Sequence, residues 1–178
     1  MTDALHTRRD FITLAAYALA MPSAARFLNS SQDYQPQFFD AEDFAALQAF
    51  TEILIPTDET AGAREARCAQ FIDFVLSSSE YEESAARNEW RNAMRALREA
   101  GFHSATAANR EALVEMISRA ERERIAPHPA YFAYRLIKQQ NTFAFYTSRV
   151  GTIDVLDYRG NSYNPVFPAC DHPEHHKI

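Results

Sequence analysis

The sequence predicts an all-α fold, a four- to five-helix bundle carrying an extended, irregular C-terminal strap. Three observations carry that expectation. Apolar residues recur at helical spacing from about residue 40 to residue 150, and nothing alternates at a period of two before the tail. The segments are bounded by helix punctuation: Asp40 and Thr106 as starts, Pro56, Gly101 and Gly151 as stops. Glycine is scarce, with 4 in 178 residues, where ordinary usage of about 7% would give about twelve. Hairpin-rich and nucleotide-binding folds need more.

Residues 1–25 form an address in front of the bundle. Thr7-Arg8-Arg9-Asp10-Phe11-Ile12 leads into an apolar run from Phe11 to Met21, too short to span a bilayer, which takes roughly 20 apolar residues. It suits the apolar region of a signal peptide, with small-residue cleavage candidates at Ala18-Leu19-Ala20 and Ser23-Ala24-Ala25. Arg8 and Arg9, followed after one residue by Phe11 and Ile12, have the twin-arginine form of an export signal for folded proteins. The competing reading is a short amphipathic helix with an incidental arginine pair. Residues 26–39 are polar and Pro-containing, the composition of a tether.

The helical domain is expected over 40–151. Asp40 has the form of an N-cap, with Asp43 where a capping-box acid would stand. Phe44, Leu47, Phe50, Leu54 and Ile55 then share a face until Pro56. After the loop Thr57-Asp58-Glu59-Thr60-Ala61-Gly62, a second helix from about Ala63 to Ser78 places Cys68, Phe71, Ile72, Val75 and Leu76 on one stripe. A third runs from near Glu82 to Ala100, with Trp90, Met94, Leu97 and Ala86 or Ala93 inside, and closes at Gly101. Thr106 caps a fourth carrying Leu113, Met116, Ile117 and Ala120. Pro127 and Pro129 precede the last, Ala130 to Val150, with six aromatics from Tyr131 to Tyr146.

The tail, 152–178, holds Tyr158, Tyr163, Pro165, Phe167, Pro168 and Cys170, too aromatic for simple disorder and too Pro-rich for helix. A strap packed on the bundle or on another protein is expected. Six helix aromatics cover more than one face, so most belong to the core and the remainder marks a protein interface. Phe145, Tyr146, Tyr158, Tyr163 and Phe167 are the interface candidates.

Several functions are excluded for this chain acting alone. Its four glycines lie nine or more residues apart, so no dinucleotide-binding turn, Walker loop or nucleophile elbow exists. A net charge of −6 with no Lys/Arg run longer than two opposes nucleic-acid binding. Cys68 and Cys170 lie in no C-x-x-C motif, and no Glu-x-x-His spacing offers a di-iron centre. Catalytic, cofactor-binding and metal residues are therefore expected to be none. Cys170, His172, Glu174, His175 and His176 gather potential ligands, but Pro173 prevents helical presentation, and a supporting ligand set is not evident. A Cys170–His172 nucleophile pair conflicts with the oxidising milieu of an exported protein. Cys68, on an apolar stripe, reads as a buried thiol. An internal Cys68–Cys170 bridge, two free thiols, and Cys170 bridged to a partner all remain open, the last favoured.

Three stretches together carry a family resemblance. The first is Leu47-Gln-Ala-Phe-Thr-Glu-Ile-Leu-Ile-Pro56 through Thr57-Asp58-Glu59-Thr60-Ala61-Gly62-Ala63-Arg64-Glu65-Ala66, with Phe71-Ile72-Asp73. The second is Phe145-Tyr146-Thr147-Ser148 and Gly151, then Tyr158-Arg159-Gly160-Asn161. The third is Phe167-Pro168-Ala169-Cys170-Asp171-His172-Pro173-Glu174-His175. In this order, behind a twin-arginine leader, they resemble the gluconate 2-dehydrogenase subunit 3 family, the small subunits of periplasmic FAD-dependent sugar and polyol dehydrogenases; residues 80–125 are generic helix.

The resemblance implies a non-catalytic subunit paired with a glucose–methanol–choline type flavoprotein that holds FAD, with a cytochrome c subunit receiving electrons through haem c. It implies a folding partner and an escort through the twin-arginine translocase to the periplasm, with possible attachment to the membrane through the complex. The alternative classes are a free-standing periplasmic enzyme with a metal on His172, Glu174 and His175, and a helical binding or scaffold protein.

Overall fold

Asp40 opens the first helix of the computed structural model, which describes residues 34–78 and 85–160. Helix α1 spans Ala41–Leu54, and the Asp43 backbone N–H donates to the Asp40 carboxylate at 2.7 Å. Asp43 directs its own carboxylate to Arg98 and His103, both at 2.8 Å, tying the start of α1 to the end of α3. Helix α2 is Cys68–Ser77, α3 is Ala85–Glu99, α4 is Ala107–Ser118 and α5 is Tyr131–Thr147. A 3-10 turn over Arg119–Glu121 extends α4, and a π-helix over Val150–Val155 follows α5. Among the described residues there is no strand, as the periodicity predicts.

The core lies where α5 meets α1, α2, α3 and α4. Phe50 of α1, Met94 and Leu97 of α3, Ile117 of α4 and Ile137 of α5 are all fully buried in it. Helix α3 shows why its face is legible: Trp90, Ala93, Met94 and Leu97 fall at i, i+3, i+4 and i+7, and all four are buried. It closes on a Schellman motif. The Gly101 N–H donates to the Arg98 carbonyl and the Phe102 N–H to the Leu97 carbonyl, with Gly101 at φ 82°. Phe102 and Leu97, the apolar pair of that motif, are both fully buried.

Four expectations are corrected. The second helix begins at Cys68, not Ala63, because residues 62–67 form their own turn: Cys68 N–H donates to the Ala63 carbonyl and Arg67 takes a left-handed φ of 55°. On α4, Met116 points outward, because the inward row is buried Val114 and Ile117 with partly buried Arg110 and Leu113. Arg110 lays its guanidinium over the Phe102 ring at 5.3 Å and donates to the Phe102 and His103 carbonyls. The stripe thus opens with a cation that hydropathy reads as surface. Residues 34–39 are not part of a tether, since Phe39 is buried and Tyr34 and Phe38 pack against the core. The chain also stays helical past residue 152, to Val155, where an extended tail is expected.

Candidate partner interface

Helix α5 divides its aromatics between inside and outside. Tyr134 and Phe145 are buried, while Phe132 and Tyr146 are 43% and 47% exposed. Tyr134 is held by polar neighbours: its hydroxyl donates to Glu121 at 3.0 Å, and Lys138 donates to the same carboxylate at 2.6 Å. These bonds, Lys138 foremost, hold the Glu121 carboxyl below its ordinary range. Burial raises the Tyr134 hydroxyl. Asn141, also fully buried, donates to the Thr51 carbonyl at 3.0 Å and joins α5 to α1.

The chain turns at Ser148. Its hydroxyl donates to the Phe145 carbonyl at 2.6 Å and accepts from the Gly151 N–H at 2.9 Å, so one side chain closes α5 and starts the π-helix. Gly151 is not the terminator that the sequence suggests. It packs so closely on the α5 backbone that a Cβ there would lie 2.1 Å from the Phe145 carbonyl oxygen. After the C-cap Leu156 the chain turns at Asp157, left-handed at φ 49°, a conformation aspartate tolerates better than most residues.

This turn displays an apolar strip. Ile153 on the π-helix and Leu156 at its C-cap, with Tyr146 before them and Tyr158 after them, are each close to half exposed or more. Backbone ties hold them together: Thr152 donates its hydroxyl to the Tyr146 carbonyl, and the Tyr158 N–H donates to the Thr152 carbonyl. Met116 on α4, Ile125 in the loop after it and Phe132 in the first turn of α5 are also exposed, but away from this stretch of sequence. Single exposed apolar residues are ordinary; several on one short stretch mark a contact surface.

The sequence-derived candidates divide accordingly. Tyr146 and Tyr158 fall on the strip. Phe145 does not: it is 2% exposed, packed with Ala63, Cys68 and Ala144, and its ring meets Tyr146 edge-on inside the chain's own fold. Arg8, Arg9, Phe11, Tyr163, Phe167 and Cys170 lie outside the described residues, as do His172, Glu174 and His175. Ile153 and Leu156 are the additions. The spacing ends the last helix at Val150, so it assigns no helical turn to Ile153 or Leu156.

Cys68 is a free thiol with no exposure, pushed up to about 12 by burial, with the Glu52 charge adding to it. Such a thiol is inert in the folded chain. Among the described residues no group of three His, Cys, Asp or Glu is placed to hold a metal ion. No described helix is long and apolar enough to cross a membrane.

A family model described as gluconate 2-dehydrogenase subunit 3 matches residues 41–167, which takes in the five described α-helices, the π-turn and the strip. The chain belongs to the gluconate 2-dehydrogenase subunit 3 family. No curated protein and no solved structure matches it. The buried framework and the exposed strip are thus features of a dehydrogenase subunit 3, and catalytic partners are in keeping with membership of such a complex. The match begins at Ala41, so the Tyr34–Phe39 segment precedes it.

Proposed function

We propose that this subunit 3 chain is the non-catalytic small subunit of an FAD-dependent sugar or polyol dehydrogenase, the folding partner and export escort of its flavoprotein. The family match over residues 41–167 carries the reading. The strip of Tyr146, Ile153, Leu156 and Tyr158 supports it by offering the flavoprotein an apolar contact. The arginine pair Arg8-Arg9 before Phe11 supports export of folded cargo through the twin-arginine translocase to the periplasm. In this reading FAD belongs to the large subunit and haem c to a cytochrome subunit that accepts its electrons, while this chain contributes neither group.

The test is expression of the flavoprotein with and without this chain, followed by periplasmic assay of FAD-dependent sugar oxidation. Active, exported flavoprotein is expected only from the pair, and Arg8→Lys with Arg9→Lys retains both proteins in the cytoplasm. Equal export of active flavoprotein without this chain overturns the escort role. Sugar oxidation by the isolated chain overturns the non-catalytic one.

A further inference from the structure

Asp73 is a buried charge to which the interface reading gives no task. It sits on α2 with no exposure, where a carboxylate without partners is strongly disfavoured. Four donors converge on it, and all come from one short stretch. Oδ2 accepts from the Tyr34 hydroxyl at 2.6 Å and the Gln37 N–H at 2.8 Å. Oδ1 accepts from the Phe38 and Phe39 N–H groups, both at 3.0 Å. Three consecutive backbone N–H groups therefore wrap one carboxylate, an anion cradle whose anion comes from the same chain.

The rings of this stretch reach the other helices. Tyr34 packs on Phe44 of α1 at 5.4 Å between centroids. Phe39 meets Trp90 of α3 edge-on at 5.7 Å. The Phe38 ring lies under the Arg87 and Arg91 guanidinium groups of α3, at 5.7 Å and 5.2 Å. One six-residue stretch thus touches three helices, and its main polar anchor is one side chain, with the Tyr34 hydroxyl also 3.4 Å from the Gln70 carbonyl.

We infer that Tyr34–Phe39 is a folding-dependent latch with Asp73 as its catch, fixing where the N-terminal segment leaves the body. The cradle forms only when α2 exists to present Asp73, and the rings seat only when α1 and α3 are in place. In an exported chain this ties the segment bearing the address to the folded state; that use rests on the proposed function, whereas the docking does not.

Hydrogen exchange on the purified full-length chain tests it. In Asp73→Asn, one acceptor oxygen replaces a charged pair, and losing even one charge-assisted hydrogen bond is worth about tenfold or more. The expected result is exchange at the Gln37, Phe38 and Phe39 amides at least ~10-fold faster, with α3 and α5 amides unchanged. Gln37, Phe38 and Phe39 amides exchanging at the wild-type rate in a folded Asp73→Asn chain overturn the latch. Should that variant not fold, Tyr34→Phe removes one donor without leaving the charge bare. Faster thermolysin cleavage at Phe38 and Phe39 with unaltered thermal unfolding is then expected, and unaltered cleavage overturns the latch. Flavoprotein export independent of this chain would defeat the escort role while leaving these exchange rates as predicted.

Discussion

Two glycines should respond to the same substitution for opposite reasons. In Gly151→Ala the added Cβ would lie 2.1 Å from the Phe145 carbonyl oxygen and 2.8 Å from its carbon. Both obstacles are backbone, so no rotamer change relieves them, and overpacking of this kind costs about 2–3 kcal/mol. The displaced carbonyl also accepts from the Ser148 N–H and hydroxyl, and weakening one such bond adds about 1 kcal/mol. Restricting the unfolded chain returns only about 0.4–1 kcal/mol. The net expectation is a loss of about 3 kcal/mol, or roughly 6–12 °C in Tm for a chain of this size. In Gly101→Ala the Cβ meets nothing within 4 Å, but φ is 82°. Left-handed strain of about 1–2 kcal/mol less the same unfolded-state gain leaves a loss of about 1 kcal/mol. Urea unfolding of both variants, with a shared m-value, measures the difference. If Gly151→Ala cost no more than Gly101→Ala, the close approach of the π-turn to α5 would not exist as described.

Ile153→Ser with Leu156→Ser should leave stability within about 0.5 kcal/mol, as expected of exposed positions, while weakening affinity for the flavoprotein about 30-fold, from ~1 kcal/mol of lost burial at each half-exposed residue; calorimetry on the separated subunits measures it. The Cys68 thiol should react with a disulfide reagent in urea and at least ~100-fold more slowly in buffer, following its burial and depressed thiolate fraction; equal rates would place it at the surface. Glu121 is held below its ordinary value of 4.5 by Lys138 and Tyr134, so its contribution is present above that value and lost as pH falls through the lower folded one. Lys138→Ala should therefore flatten the acid limb of a stability–pH curve and leave stability above pH 6 changing little with pH.

The helices were legible where one apolar row did all the burying. Trp90, Ala93, Met94 and Leu97 repeat at helical spacing, and Gly101 supplies the left-handed stop that the spacing demands. Legibility failed where polar groups are buried. Arg110 occupies an inward row through its contacts with Phe102 and two carbonyls, and Asp73 is buried because three backbone donors thirty-odd residues upstream neutralise it. Neither partner set is local, so no window of sequence contains the compensation. For the exposed strip, aromatic excess pointed to the C-terminal end of α5 but could not say which ring faces out. Phe145 and Tyr146 are adjacent in sequence and opposite in fate, decided by the return of Gly151 and Val155 over one side of the helix.

The latch also sets an order of events. Tyr34 leaves the ribosome well before its acceptor, since Asp73 lies 39 residues later, and Trp90, the seat for Phe39, follows later still. At ~5–20 residues per second, the chain from Tyr34 to Trp90 takes several seconds to appear. During that interval the Tyr34–Phe39 stretch has neither its catch nor its seat. The earliest part of the described body to be made therefore cannot settle before α3 has followed it.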